Sequence, residues 1–140
     1  MLYQIEEWEN VTERVSAMGI SVRLKKITVD DFYIPGTKMV EVPDFCNLSD
    51  EELLLYLEEL RPLSGEICVI TDICYREGFG PFLLEADRLE GLVKNHRAIF
   101  SDDFFSTDAV IISFQERMVW MFHHSGLVGL FDYGRDGIGE

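Results

Sequence analysis

Apolar residues dominate the segment Ala109–Phe131, where two apolar runs flank Gln115–Arg117 and a third run follows Gly126. β-Branched and aromatic residues fill these runs, which favours strands over helices. Because the runs are apolar on both faces, we predict central strands of a sheet that is covered on at least one side. The segment Glu66–Ile73 is equally rich in apolar residues and predicts another buried strand.

Apolar residues spaced three and four positions apart predict three amphipathic helices. These are Glu6–Met18, the segment from Ser49 to Leu60, and Ala86–His96. Gly19 is a plausible stop for the first helix. Ser49 and Glu52 form a capping box at the start of the second, and Pro62 prevents its continuation.

Shorter extended segments complete the predicted fold. They are Ile20–Val29, Lys38–Val42 and Pro81–Leu84. The glycine-rich stretch 134–140 is predicted to be a flexible tail. No repeat or linker divides the 140 residues, so we predict a single α+β domain over 1–133. Its mainly antiparallel central sheet is packed by about three helices.

Composition indicates a folded cytoplasmic protein. The chain is 47% hydrophobic and 12% aromatic, and no apolar run approaches the ~18 residues that a bilayer span needs. The first residues lack the basic and apolar pattern of a signal peptide. The three cysteines, Cys46, Cys68 and Cys74, form no CxxC pair and are expected to be reduced thiols.

The formal net charge is −14, from 26 acidic and 12 basic residues, and acids predominate equally in both halves of the chain. Such a surface repels phosphate backbones, so we expect no nucleic-acid partner. It favours rapid capture of a basic protein. In the alternative interpretation, the excess of acidic residues serves only to keep the protein soluble.

Two enzymatic interpretations depend on few residues. Cys74 with His123 or His124, oriented by Asp72, has the residue types of an activated thiolate, but Cys74 is not at a strand-to-helix turn. His123 and His124 would point to opposite faces of a strand and could not share a metal ion unless the strand ended there. We therefore expect no enzyme activity, no cofactor and no metal. A structural homodimer with strands extending between subunits is a further alternative.

The remaining candidates are acidic and aromatic residues in or beside loops, which suit contact with a basic protein. Aromatic rings supply desolvated contact area and carboxylates supply steering and paired charge. The alternative is that these are ordinary loop residues, with Phe104 packed beneath the surface. The predicted partner-binding residues are Asp30, Asp31, Tyr75, Arg76, Asp102, Asp103, Phe104 and Phe105.

The order of motifs between Glu66 and Phe131 resembles that of small immunity proteins from bacterial contact-dependent inhibition and polymorphic toxin systems. The motifs are Thr71–Tyr75, Gly80–Phe82, Asp103–Phe105, Asp108–Ile112 and Val119–Leu127. The resemblance implies a cytoplasmic α+β protein without catalytic residues that binds the toxic domain of a delivered effector. Many such toxins are nucleases with basic clefts, which an acidic immunity protein would occlude. The resemblance leaves the cognate toxin and the oligomeric state open.

Overall fold

A seven-stranded antiparallel sheet forms the centre of the structure, a computed structural model that describes residues 3–19, 39–76 and 80–132, with Arg76 described by its backbone only. The strands are β1 (Gln4–Ile5), β2 (Val40–Glu41), β3 (Glu66–Thr71), β4 (Phe82–Glu85), β5 (Ala109–Ser113), β6 (Met118–His123) and β7 (Leu127–Asp132). Their spatial order is β1-β4-β3-β5-β6-β7-β2. The predicted α+β class with an antiparallel sheet is therefore confirmed.

The apolar segment that begins at Ala109 forms β5, β6 and β7, which pair as consecutive antiparallel neighbours. Gly126 has φ +94° in the turn between β6 and β7, a backbone conformation that glycine adopts without strain. All five residues of β5 are buried. The prediction of central strands in this segment is confirmed.

Four α-helices accompany the sheet in the described residues. They are α1 (Trp8–Ala17), α2 (Asp50–Leu60), α3 (Asp72–Arg76) and α4 (Leu89–Phe100). The predicted capping box opens α2, since Ser49 Oγ accepts the Glu52 backbone N–H at 3.2 Å and Glu52 Oε1 accepts the Ser49 N–H at 2.9 Å. Gly19, with φ +91°, follows α1 as predicted.

Strand β3 is shorter than predicted, because the chain turns into α3 at Asp72. Thr71 precedes this helix, and the Sγ atom of Cys74 accepts the Thr71 backbone N–H at 3.4 Å. The side chain of Cys74, the third residue of α3, thus accepts a hydrogen bond from the backbone N–H of Thr71, the residue before the helix. A capping box contains the same kind of contact. Ile73 and Cys74 are apolar and remain buried in α3. The apolar run therefore continues past the end of the strand, which is why the sequence predicted a longer strand.

Both faces of the sheet are covered. Phe82 and Phe122 lie on one face, where Phe82 stacks on Phe100 of α4 at 5.5 Å between ring centroids. Successive side chains of a strand point to opposite faces. Glu66 therefore points to the other face, where it forms a 2.6 Å salt bridge with Arg14 of α1. Helices α1 and α4 thus pack on opposite faces.

Two sequence predictions lie outside the described residues, namely the strand Ile20–Val29 and the tail 134–140. Within the described residues, no helix is both long enough and apolar enough to cross a membrane.

Candidate functional site

Among the described residues, the predicted contact residues do not form one surface. Asp30 and Asp31 lie outside the described residues, as does the side chain of Arg76. Tyr75 is half-buried, and its ring stacks on Trp8 with 5.1 Å between centroids and 19° between planes.

Phe104 and Phe105 are buried, so the prediction that they present exposed rings to a partner is wrong. The Phe105 ring packs edge-on against Phe122 of β6 at 4.8 Å, and the Phe104 ring packs edge-on against His96 of α4 at 5.4 Å. These contacts place both rings in the core between α4 and the sheet. They stabilise the fold instead of forming contact surface.

Asp102 and Asp103 remain at the surface beside these rings. Asp103 is exposed and forms a 3.2 Å ion pair with Arg97. Asp102 is half-buried, and its backbone carbonyl lies 2.6 Å from Nδ1 of the buried His96. Asp102 and Asp103 therefore lie beside the end of α4.

Helix α2 carries an exposed apolar side chain among glutamates. Leu55 is 59% exposed. Residues three and four positions away are its neighbours on the helix surface. These neighbours are Glu51, Glu52, Glu58 and Glu59, and α2 contains no lysine or arginine. We call Leu55 and these four glutamates the α2 acidic face.

Carboxylates of α2 lie close to those of α4. Partial burial and the negative charge of Glu90 both raise the pKa of Glu58. Lys94 approaches Glu51 at 3.8 Å and Glu90 at 3.6 Å, but exposed ion pairs of this kind contribute little free energy. The α2 acidic face therefore retains an electrostatic repulsion that a cationic partner would relieve.

Cys74 lies at a strand-to-helix turn, so the sequence prediction on this point is wrong, but the geometry does not support the cysteine nucleophile hypothesis. Cys74 is 1% exposed, and its sulfur makes hydrogen bonds with Thr71 and the Val69 carbonyl, with no imidazole among these partners. Burial raises the pKa of Cys74 to about 11, although hydrogen bonds from Thr71 act in the opposite direction. The thiolate that nucleophilic catalysis needs is thus strongly disfavoured.

Three side chains capable of binding a metal meet at the end of β6. Because the strand ends at His123, the turn places the rings of His123 and His124 together, stacked at 4.3 Å with 28° between planes. Asp108 Oδ1 lies 2.9 Å from His124 Nδ1. The strand thus ends at these histidines, which is the condition under which the sequence allowed both rings to approach one ion.

Comparison of the chain with protein-family models, with curated proteins and with solved structures found no match. The resemblance to immunity proteins therefore depends on the motifs between Glu66 and Phe131 alone.

Sequence reasoning missed Leu55 as an exposed apolar residue, although a signal for it was present. Leu53, Leu54 and Leu57 share one helical face and are buried, whereas Leu55 falls outside that stripe. The sequence did not mark Asp108 as a neighbour of His124, because their proximity depends on the pairing of β5 with β6.

Proposed function

We propose that this protein is a cytoplasmic immunity-type inhibitor that binds a cationic toxin domain, of which a basic nuclease is the favoured class. The proposed binding surface consists of the α2 acidic face together with Asp102 and Asp103. These two aspartates immediately precede the segment 104–106, which α2 contacts. The net charge of −14 supports a basic partner. The order of motifs described above supports the immunity class.

The observation that carries the proposal is the position of Leu55. An exposed leucine with glutamates on all its helical neighbours offers an apolar contact inside a ring of negative charge. Binding energy at protein interfaces concentrates in such desolvated central contacts, while the surrounding charges steer association and fix orientation. A cationic partner would also reduce the repulsion between Glu58 and Glu90.

The test uses the toxic C-terminal domain encoded by the gene immediately upstream, produced together with this chain. We expect a 1:1 complex whose association slows as ionic strength rises, because salt screens the attraction between exposed charges. We also expect the chain to suppress the toxicity of that domain in cells. Absence of a complex, or toxicity that persists despite expression of the chain, would overturn the proposal.

Matched charge reversals locate the surface. E59K on α2 and E13K on α1 change the net charge equally, but α1 packs on the face of the sheet opposite to α4. Both glutamates are exposed. We expect E59K to slow association several-fold and E13K to change it by less than about twofold. Equal effects of the two variants would show that only overall charge matters.

Matched apolar truncations test the central contact. L55A removes the proposed anchor, whereas V40A shortens a side chain of similar exposure, 54%, at the edge of the sheet. We expect L55A to raise the dissociation rate roughly tenfold or more, and V40A to leave it nearly unchanged. Indistinguishable dissociation rates would remove α2 from the interface.

A further inference from the structure

The turn after β6 brings two imidazoles and a carboxylate into one small volume. Asp108, His123 and His124 each offer a ligand atom, and these atoms all lie within 4.8 Å of one another. Asp108 and His123 are half-buried and His124 is exposed, so an ion from solvent can reach the cluster. This cluster takes no part in the binding surface proposed above.

Hydrogen bonds hold the cluster in place. Asp108 Oδ1 accepts the His124 backbone N–H at 3.0 Å and lies 2.9 Å from Nδ1 of the same residue. His123 Nδ1 lies 2.6 Å from Ser125 Oγ. Within the described residues, no hydrogen bond engages the Nε2 atom of either ring. Asp108 and His124 face each other through Oδ1 and Nδ1, and an ion bound between these two atoms would take the place of the proton that they share.

From this geometry we propose that Asp108, His123 and His124 form a binding site for a divalent transition-metal ion such as Zn²⁺. Imidazole favours Zn²⁺, Ni²⁺ and Cu²⁺, whereas Mg²⁺ and Ca²⁺ favour sites made of oxygen atoms. Two histidines and one carboxylate leave a fourth tetrahedral position open to solvent or to another molecule. Bound metal would connect the segment that precedes β5 to the turn between β6 and β7.

The acidic surface requires a control, because a chain of charge −14 attracts any divalent cation. Mg²⁺ carries the same charge as Zn²⁺ and separates this general attraction from ligation by imidazole. The exposed Cys46 also requires a control, since thiolates bind Zn²⁺. The variant C46S removes that ligand and leaves the proposed site intact.

The experiment is calorimetric titration of the full chain with ZnCl₂ and, separately, with MgCl₂. We expect saturable binding of one Zn²⁺ by the wild type and by C46S, with an affinity for Mg²⁺ at least about tenfold weaker. The double variant H123N/H124N removes both imidazoles, and D108N removes the carboxylate. We expect each to weaken Zn²⁺ binding by about tenfold or more.

Thermal unfolding with and without Zn²⁺ provides a second readout, because a ligand that binds only the native state raises Tm. It also verifies that the surface variants fold. No saturable Zn²⁺ binding, equal affinity for Mg²⁺, or unchanged binding by H123N/H124N would overturn the proposal.

Discussion

The carboxylate of Asp50, the first residue of α2, accepts the backbone N–H of Phe104 at 2.6 Å. Its second oxygen lies 3.4 Å from the backbone nitrogen of Phe105. One side chain therefore binds two consecutive backbone groups that lie more than fifty residues away in sequence. This contact holds the segment 104–106 against α2 and directs the two phenylalanine rings into the core.

Removal of this carboxylate should destabilise the fold. D50A leaves the Phe104 N–H without its acceptor, and an unsatisfied buried donor costs about 1–3 kcal/mol. D50N retains an amide oxygen that can accept the same hydrogen bond, so we expect a loss of less than about 1 kcal/mol. Chemical denaturation measures both variants. Equal losses would show that the hydrogen bond does not control the stability of this segment.

The ionisation of Asp50 should also make stability depend on pH. Burial raises the pKa of Asp50 above 3.8, although hydrogen bonds from Phe104 and Phe105 act in the opposite direction. A carboxyl group with a raised pKa binds protons more readily in the folded state. Its contribution to stability is therefore complete below its ordinary pKa and is lost as pH rises through the folded value.

The variant D50N isolates this effect, because it cannot ionise at position 50. We expect the free energy of unfolding of the wild type, relative to D50N, to increase as pH falls from neutrality through the acidic range. Denaturation of both proteins at a series of pH values measures the difference, and other titrating groups cancel. A difference that stays constant or decreases on acidification would contradict the prediction.

Sequence patterns predicted features whose causes are local. The capping box of Ser49 and Glu52 and the stop at Gly19 involve residues that are close in the chain. Phe104 and Phe105 were mispredicted because they follow two aspartates, as exposed loop residues often do. Their burial is determined by Asp50 and Phe122, which only the tertiary fold brings near them.

The histidine cluster shows a second limit of sequence reasoning. Whether His123 and His124 point apart or together depends on the residue at which β6 ends, and periodicity does not locate strand ends to one residue. The position of Asp108 depends in addition on the register between β5 and β6, where Ala109 pairs with Phe122. Candidate ligands could be named from the sequence, but their convergence could not be predicted.

The three cysteines should differ sharply in reactivity. Cys46 is exposed, whereas Cys68 and Cys74 are buried, and burial raises the pKa values of both buried thiols. Thiolates react and thiols do not. We expect one thiol to react quickly with a disulfide reagent in the native protein and two more only on unfolding. The variant C46S should lose the fast reaction, and a fast phase that persists in it would contradict the prediction.

Arg117 connects the β5–β6 turn to the end of α1. Its guanidinium donates to the backbone carbonyl of Met18 at 2.9 Å and lies 3.5 Å from that of Ala17. These carbonyls have no partner inside the helix, and a cation is favourable beside them. Arg117 also has φ +56°, which costs a residue with a side chain about 1 kcal/mol or more relative to glycine.

Two substitutions separate these opposing effects. R117A removes the hydrogen bonds and keeps the backbone strain, so we expect a loss of about 1–3 kcal/mol. R117G removes both, and should therefore be more stable than R117A by about 1 kcal/mol. Chemical denaturation of the wild type and both variants measures the two differences. If R117G were no more stable than R117A, strain at this position would be negligible, and if R117A matched the wild type, the contact with α1 would not stabilise the fold.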